Sequence, residues 1–176
     1  YRKGDDFLMI NSSLLKQLRE NEQDLYDLIN YRWGLILETF NNSPRINKKV
    51  KIIDARDIKR NSLNKFKQFL DLENPKHKCF ICNNIIVKND ISIDPVIPWS
   101  YMYSDDIWNL VYVCKNCNSR KSNRIPSEEE IHKLKLRNHR LLNYMENNNI
   151  HNKVYDEFKL SIAKDYVDKF WIGSKS

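Results

Sequence analysis

Three features of the sequence predict an α+β fold that is mostly helical and has a small metal-bound core. Gly and Pro are scarce, at 3 and 5 of 176 residues, which disfavours a loop-rich all-β fold. Apolar residues recur at helical spacing on both sides of a central stretch, 79–121. That stretch holds all four cysteines, in two Cys-x-x-Cys pairs, Cys79/Cys82 and Cys114/Cys117. We therefore expect flanking helices around a core tied together by metal.

The composition is that of a basic globular protein. Hydrophobic residues make up 41% of the chain, enough to bury a core. No apolar run approaches the ~18 residues that span a membrane, and no secretory pattern opens the sequence, so we expect no membrane partner. The chain carries 30 Lys and Arg against 23 Asp and Glu, a net charge of +7. This surplus favours nucleic acid as partner, although a solvated basic surface would give the same count.

Two helical segments are predicted within residues 5–41. Ser12 or Ser13 is expected to cap the first segment. The second segment has apolar residues near helical spacing. We expect its Trp33 and Phe40 to lie in the core rather than to form a platform for stacking bases.

A basic stretch, 45–60, follows and is expected to be a strand or an extended arm. Its Lys48, Lys49 and Arg56 either contact nucleic-acid phosphates or belong to a solvated surface. Apolar residues at helical spacing then predict a short helix over 62–72.

The C-terminal part is predicted to be helical. Ser127 and Glu130 form a capping box, which starts a helix that runs to about Met145. A last helix is predicted over 152–171. Its apolar residues recur every four positions, at Val154, Phe158, Ile162, Tyr166 and Phe170. This stripe is expected to be core or a surface for a partner protein, not a chemical site.

The four cysteines predict one structural zinc site. Each Cys-x-x-Cys turn presents two thiolates, and four thiolates close a tetrahedral shell that leaves no position for substrate. A secreted disulfide framework would scatter the cysteines, and a thioredoxin-like redox motif needs only one pair. Reduced thiols indicate the cytoplasm.

Strand-like runs surround an acidic and an amide side chain. Residues 85–87 and 91–93 lead to Asp94, and residues 110–113 form another strand that enters the second cysteine pair. Asn118 is expected to open a short helix and to face Asp94. A carboxylate and an amide oxygen suit Mg²⁺, whose other ligands are usually water and substrate phosphate.

Basic side chains follow this pair in the sequence. Arg120, Lys121 and Arg124 come within two helical turns of Asn118. Together with the net positive charge, this position predicts contacts with phosphates.

Three blocks of the sequence resemble HNH endonucleases. They are DPVIPWS at 94–100, DDIWNLV at 105–111 and CKNCNSRKS at 114–122. The resemblance covers roughly residues 79–130. Within the family, the sequence resembles HNH restriction enzymes that have a zinc knuckle. It implies the ββα-metal fold, in which a two-stranded hairpin and a helix surround one catalytic divalent metal.

The resemblance implies a role for each matching position. Asp94 and Asn118 would bind the catalytic metal. Asn109 would hold the loop between the strands by backbone hydrogen bonds, and Lys121 would lie near the scissile phosphate or support the helix. Pro95 stands where the family has a histidine that takes a proton from the attacking water.

Proline cannot act as a general base. It has no titratable side chain, and its fixed φ suits the extended chain of a strand, so the fold tolerates it. Loss of a general base typically lowers the rate by about 10²–10⁴. The chain's four histidines lie outside the motif, and His77, beside the first cysteine pair, is expected at the surface.

The resemblance thus implies a Mg²⁺-dependent endonuclease of the restriction or defence type that acts on double-stranded DNA and is impaired by Pro95. A homodimer is expected if both strands of a palindrome are cut. The expected parts are a helical region at 1–75, the nuclease core at 76–126 and helices at 127–176. The alternative is a zinc-stabilised DNA-binding module without catalysis, and a further one is a protein-interaction module.

Overall fold

The computed structural model describes residues 2–3, 8–9, 11–40 and 62–175. These residues are mostly α-helical and include two small antiparallel hairpins. The predicted α+β class is therefore confirmed. No helix in the described ranges is long and apolar enough to cross a membrane.

Some of the predicted features fall on the remaining residues. The basic stretch 45–60 lies outside the described residues, with its predicted phosphate contacts Lys48, Lys49 and Arg56. The side chain of Phe40 lies outside them as well. The predictions made for these residues stay predictions.

The first described strand pairs with the second, and the third pairs with the fourth. The predicted short helix near 62–72 is confirmed as a 3₁₀ turn that continues into an α-helix. The elements are β1 (Arg2–Lys3), β2 (Leu8–Met9), α1 (Ser12–Glu20), α2 (Glu22–Phe40), the 3₁₀ turn (Leu63–Phe66), α3 (Lys67–Glu73), β3 (Ile91–Pro95), α4 (Trp99–Met102), β4 (Leu110–Cys114), α5 (Lys115–Lys121), α6 (Glu128–Asn147), α7 (Lys153–Ala163) and α8 (Tyr166–Ser174).

The two N-terminal helices are present, but the prediction needs two corrections. Asn11, and neither Ser12 nor Ser13, caps α1: its Oδ1 accepts the Ser13 N–H at 2.9 Å. In α2, Trp33 is 59% exposed, so its predicted place in the core is wrong. Helical spacing identifies an apolar face, but the tertiary fold decides what covers that face.

The β3–β4 hairpin has two faces that point to different helices. Asp94 pairs with Val111, and Tyr112 is the next residue along β4. Paired residues project to the same face, and successive residues to opposite faces. Asp94 and Val111 line a small cleft with Lys121 of α5. The Tyr112 hydroxyl donates to Asp71 of α3 at 2.8 Å, so this second face is turned towards α3.

The expected strand at 85–87 is not formed. Ile85 makes a single bridge with Lys78, and Lys88–Asp90 is one turn of 3₁₀ helix. Ile86 is buried and its N–H donates to the His77 carbonyl at 2.8 Å. The side chains of residues 85–87 do alternate between exposed and buried. Their backbone, however, forms only one β-bridge, beside the turn of the first cysteine pair.

Helix α5 begins directly after β4, at Lys115. Asn118 consequently lies in the middle of this helix, so the prediction that Asn118 opens the helix is wrong. The reason is that the second cysteine pair is itself helical: Cys114 is the N-cap residue and Cys117 lies in the first turn.

The C-terminal segment contains three helices where two were predicted. The capping box is confirmed, because Ser127 Oγ accepts the Glu130 N–H and Glu130 accepts the Ser127 N–H. The expected last helix is divided into α7 and α8 at Asp165, which has a left-handed φ of 49°. The apolar stripe still faces the core: Phe158 is fully buried, and Phe170 stacks on Trp108 with ring centres 5.9 Å apart.

One hydrophobic core joins α3, the β3–β4 hairpin and the C-terminal helices. Leu70 of α3, Val113 of β4, Leu134 and Leu141 of α6, and Phe158 of α7 are each at most 1% exposed. The hairpin that carries Asp94 thus shares its core with the helices on the C-terminal side.

Replacing Leu134 with alanine should lower the free energy of unfolding by about 2–5 kcal/mol, because Leu134 is fully buried and its removal leaves a cavity. Leu136, on the same helix and 48% exposed, is the matched control, and Leu136→Ala should change that energy by less than about 0.5 kcal/mol. Urea unfolding monitored by circular dichroism measures both. Equal losses would contradict the packing described for α6.

Candidate functional site

The four cysteines converge on one point. Their sulfur atoms, from Cys79, Cys82, Cys114 and Cys117, all lie within 4.8 Å of one another. A tetrahedral site with Zn–S bonds of about 2.3 Å places its sulfurs roughly 3.8 Å apart, so only a small contraction is needed. The predicted meeting of the two pairs is confirmed, and this group can bind a metal ion such as zinc.

The electrostatics of the cluster also fit a cation. Burial raises the pKa of the Cys79 thiol, but the backbone N–H groups of Cys82, Cys114 and Ile81 outweigh burial and hold that pKa at about 7. The Cys117 thiol moves the other way, since burial and the neighbouring sulfurs raise its pKa to about 12. Four thiolates cannot stay together in this space unless a cation balances them, and a divalent metal supplies that charge.

Helix α6 holds the turn of the first cysteine pair. Lys133 donates to the carbonyl of Phe80 and, at 2.8 Å, to Oδ1 of Asn83. Its ammonium lies 4.8 Å from the centre of the Phe80 ring. Asn83 has a left-handed φ of 60°, which an Asn tolerates better than most residues. The sequence does not identify this role of Lys133, because a lysine on an amphipathic helix carries no signal of its target.

Asp94 lies near the end of β3, and its carboxylate forms an ion pair with a lysine. Its Oδ2 is 2.8 Å from the ammonium of Lys121, and the two side chains are only 15% and 6% exposed. Lys121 Nζ also donates to the carbonyl of Pro95 at 2.8 Å. The structure thus brings together three of the positions predicted for the site. Lys121 is the buried member, and it supports both the carboxylate and the end of β3.

Asn109 fixes the chain that follows β3. Its Oδ1 accepts the Ile97 N–H at 2.8 Å, and its Nδ2 donates to the Ile97 carbonyl at 2.9 Å. The Asn109 carbonyl in turn accepts the Val96 N–H at 2.8 Å. Asn109 is 2% exposed, so water does not compete for these bonds. The residues directly after Pro95 are therefore held in one conformation.

Asn118 and Arg120 lie on α5, which packs against both β3 and β4. Asn118 is partly buried, and Arg120 is exposed. Asn118 therefore lies on the helix that covers the Asp94 face of the hairpin. Arg120, near the end of that helix, is accessible from solvent.

Arg124 has a different neighbour from the one expected. Its guanidinium forms two bonds to the Glu130 carboxylate, at 2.7 and 2.9 Å. Burial alone would raise the pKa of Glu130, but Arg124 and the backbone N–H of Ser127 lower it overall. The Arg124 guanidinium is thus bound to a carboxylate at the start of α6. A phosphate that contacts Arg124 would have to share the guanidinium with Glu130.

The histidine nearest to the cysteines lies on the far side of the hairpin. His77 Nε2 is 2.9 Å from Asp71 Oδ1, and its ring packs edge-on against Tyr112 at 5.3 Å. This is the face turned towards α3, opposite Asp94. His77 is partly exposed, as expected from the sequence, and it does not replace the histidine missing at position 95.

Metal analysis of the purified chain should find about one zinc per chain, because the four sulfurs form one closed site. Cys117→Ser should release that zinc during dialysis against a chelator that leaves the parent chain loaded. Ser119→Ala, an exposed change on the same helix, is the control and should retain the metal. The predicted zinc site would be contradicted if the parent chain contained no zinc. It would also be contradicted if Cys117→Ser retained zinc as firmly as the parent chain does.

Comparison with known proteins agrees with this geometry. No curated protein matches the chain. A family model described as HNH endonuclease matches residues 80–127. The matched residues run from the turn of the first cysteine pair, through β3, β4 and α5, to the N-cap of α6, and so include Asp94, Asn109, Asn118 and Lys121. Over residues 80–127 the chain therefore matches the HNH endonuclease family, as the sequence predicts.

Proposed function

We propose that this chain is a zinc-stabilised, Mg²⁺-dependent DNA endonuclease of the HNH type that lacks its general base. The observation that carries the proposal is the cluster at the end of β3. There the partly buried carboxylate of Asp94 and the carbonyl of Pro95 each lie 2.8 Å from the buried ammonium of Lys121. This cluster lies within the residues that match the family.

The residues at this position fit a divalent metal. The ion pair with Lys121 supports an ionised Asp94 carboxylate, which is the form that binds a metal. Asn118, on the helix that covers the same face, would supply an amide oxygen, and both are donors that Mg²⁺ accepts. When bound, the metal would stabilise the negative charge that develops on the leaving oxygen. Asp94 and Asn118 would hold it there.

Position 95 would carry the base in an active form of the site. Its backbone is fixed, because Lys121 binds the carbonyl of Pro95 and Asn109 holds the next two residues. A histidine side chain at this position would start next to Asp94 and would take a proton from water. Proline supplies no such group, and the ammonium of Lys121 already bonds to two oxygens. The unchanged chain should therefore bind DNA and metal but cut slowly.

The finer assignments belong to the same proposal. Arg120, exposed near the end of α5, would contact phosphate, and the net charge of +7 would strengthen binding to double-stranded DNA. Arg124, Lys48, Lys49 and Arg56 are further candidates for phosphate contacts. A homodimer would place two sites on opposite strands. Cleavage of foreign DNA in the cytoplasm, in restriction or defence, is the role that suits such an enzyme.

Pro95→His should restore cleavage. We expect the rate of plasmid cutting with Mg²⁺ to rise by about 10²–10⁴, the typical contribution of a general base. Gel analysis of plasmid DNA under single-turnover conditions measures it. Because position 95 is buried, circular dichroism must first show that the variant folds.

The matched control is the double variant Asp94→Asn with Pro95→His, which keeps the new histidine and removes the carboxylate. It should cut no faster than the parent chain. If a folded Pro95→His protein binds DNA in a salt-sensitive manner yet gains no cleavage, the endonuclease proposal is wrong. That result would favour the non-catalytic DNA-binding module.

A further inference from the structure

Two buried polar side chains of α6, Arg137 and Asn138, reach into the loop between β3 and β4. They are 2% and 1% exposed. Arg137 Nη1 donates to the Ile107 carbonyl at 2.8 Å, and Asn138 Nδ2 donates to the Trp108 carbonyl at 2.8 Å. Arg137 also donates to Asn138 Oδ1 at 2.8 Å, which links the two side chains. Both residues lie outside the segment that matches the family.

Stability alone does not account for this pair. A guanidinium loses its hydration when it is buried, and a buried ion pair seldom returns more than that loss. Here the partner carboxylate, on Glu73, is 3.5 Å from Arg137 Nε. Burial lowers the pKa of Arg137, while Glu73 acts in the opposite direction. Buried polar groups of this kind can instead specify one conformation.

The conformation that they specify belongs to the site. Ile107 and Trp108 open the 3₁₀ turn that ends at Asn109, and the Asn109 N–H donates to the Asp106 carbonyl at 2.9 Å. Asn109 then binds Ile97 through both atoms of its amide group. Hydrogen bonds from α6 therefore hold this turn, the backbone of the turn carries Asn109, and Asn109 binds the residues that follow Pro95.

We propose that Asn138 and Arg137 are positioning residues: by holding the carbonyls of Trp108 and Ile107, they fix Asn109 and, through it, the chain beside Asp94. The effect on the loop can be tested in the chain as it is. Only the consequence for cleavage rests on the proposed endonuclease function. Neither side chain touches substrate or metal in this scheme, and each acts through Asn109.

Asn138→Asp is the informative variant. It keeps the volume and an oxygen that accepts from Arg137, and it replaces the donor to the Trp108 carbonyl with a carboxylate oxygen, whose negative charge the adjacent Arg137 guanidinium balances. Amide hydrogen exchange, followed by NMR on the labelled chain, should show the Ile97 N–H exchanging about tenfold faster relative to the Leu141 N–H in the same helix. That ratio corresponds to the loss of one hydrogen bond of about 1.4 kcal/mol.

Met145→Ala is the matched control for stability. Met145 is fully buried in α6, about two turns beyond Asn138, and it lines the core and not the loop. Its loss should speed exchange at Ile97 and Leu141 alike and leave their ratio unchanged. If Asn138→Asp also leaves the ratio unchanged, or if Met145→Ala changes it equally, the positioning role is wrong.

The catalytic consequence is measured in the Pro95→His background. Adding Asn138→Asp should lower kcat about tenfold and change KM little, because the variant disturbs the loop and leaves the contacts with DNA intact. Adding Met145→Ala should change neither constant well below the unfolding temperature. An unchanged kcat with faster Ile97 exchange would overturn the catalytic part. If Pro95→His itself is inactive, the endonuclease proposal fails, and the exchange ratio still decides the positioning role.

Discussion

The loop between β3 and β4 has to bury backbone N–H and C=O groups although the sheet beside it has only two strands among the described residues. An unpaired buried backbone group costs about as much as a lost hydrogen bond, so side chains must take the place of a third strand. Asn109 binds Ile97 at both its N–H and its carbonyl, and α6 supplies donors to the carbonyls of Ile107 and Trp108. The conformation of the chain around Asp94 therefore depends on these side-chain hydrogen bonds.

Two ionisable groups of the candidate site lie beside the same hairpin. The Asp94 carboxylate is paired with Lys121 inside a small cleft, and the cysteine sulfurs lie close enough to share one metal ion. These two groups lie at opposite ends of the hairpin, since Asp94 is near the end of β3 and Cys114 closes β4. An ion pair at one end and a shared metal at the other would hold the hairpin rigidly, which is what the proposed chemistry requires of it.

Much of the candidate site could be predicted from the sequence because its signals are local. The Cys-x-x-Cys spacing predicts convergence of the four sulfurs, and the alternation after Lys88 predicts the strand that carries Asp94. What the sequence could not provide is tertiary. The exposure of Trp33 depends on what covers α2, and the single bridge at Ile85 depends on the turn of the cysteines.

The break in the last helix and the polar support from α6 were also missed. Nothing in the sequence around Asp165 resembles a helix terminator, yet its backbone adopts the left-handed conformation. Arg137 and Asn138 look like residues of a solvated helix face, because their targets lie thirty residues away along the chain. Side-chain bonds to distant carbonyls leave no periodic pattern, so only the folded chain reveals them.

The central claim is that a divalent metal binds at Asp94 and Asn118, on the face of the hairpin covered by α5. Paramagnetic broadening by Mn²⁺ tests it most directly, in the unchanged chain with its cysteines first saturated with zinc. The account predicts that amide signals near Asp94 and Asn118 are lost first, while those of Asp71 and His77 on the opposite face persist. Broadening centred on Asp71 and His77, or none that is selective for Asp94, would contradict it.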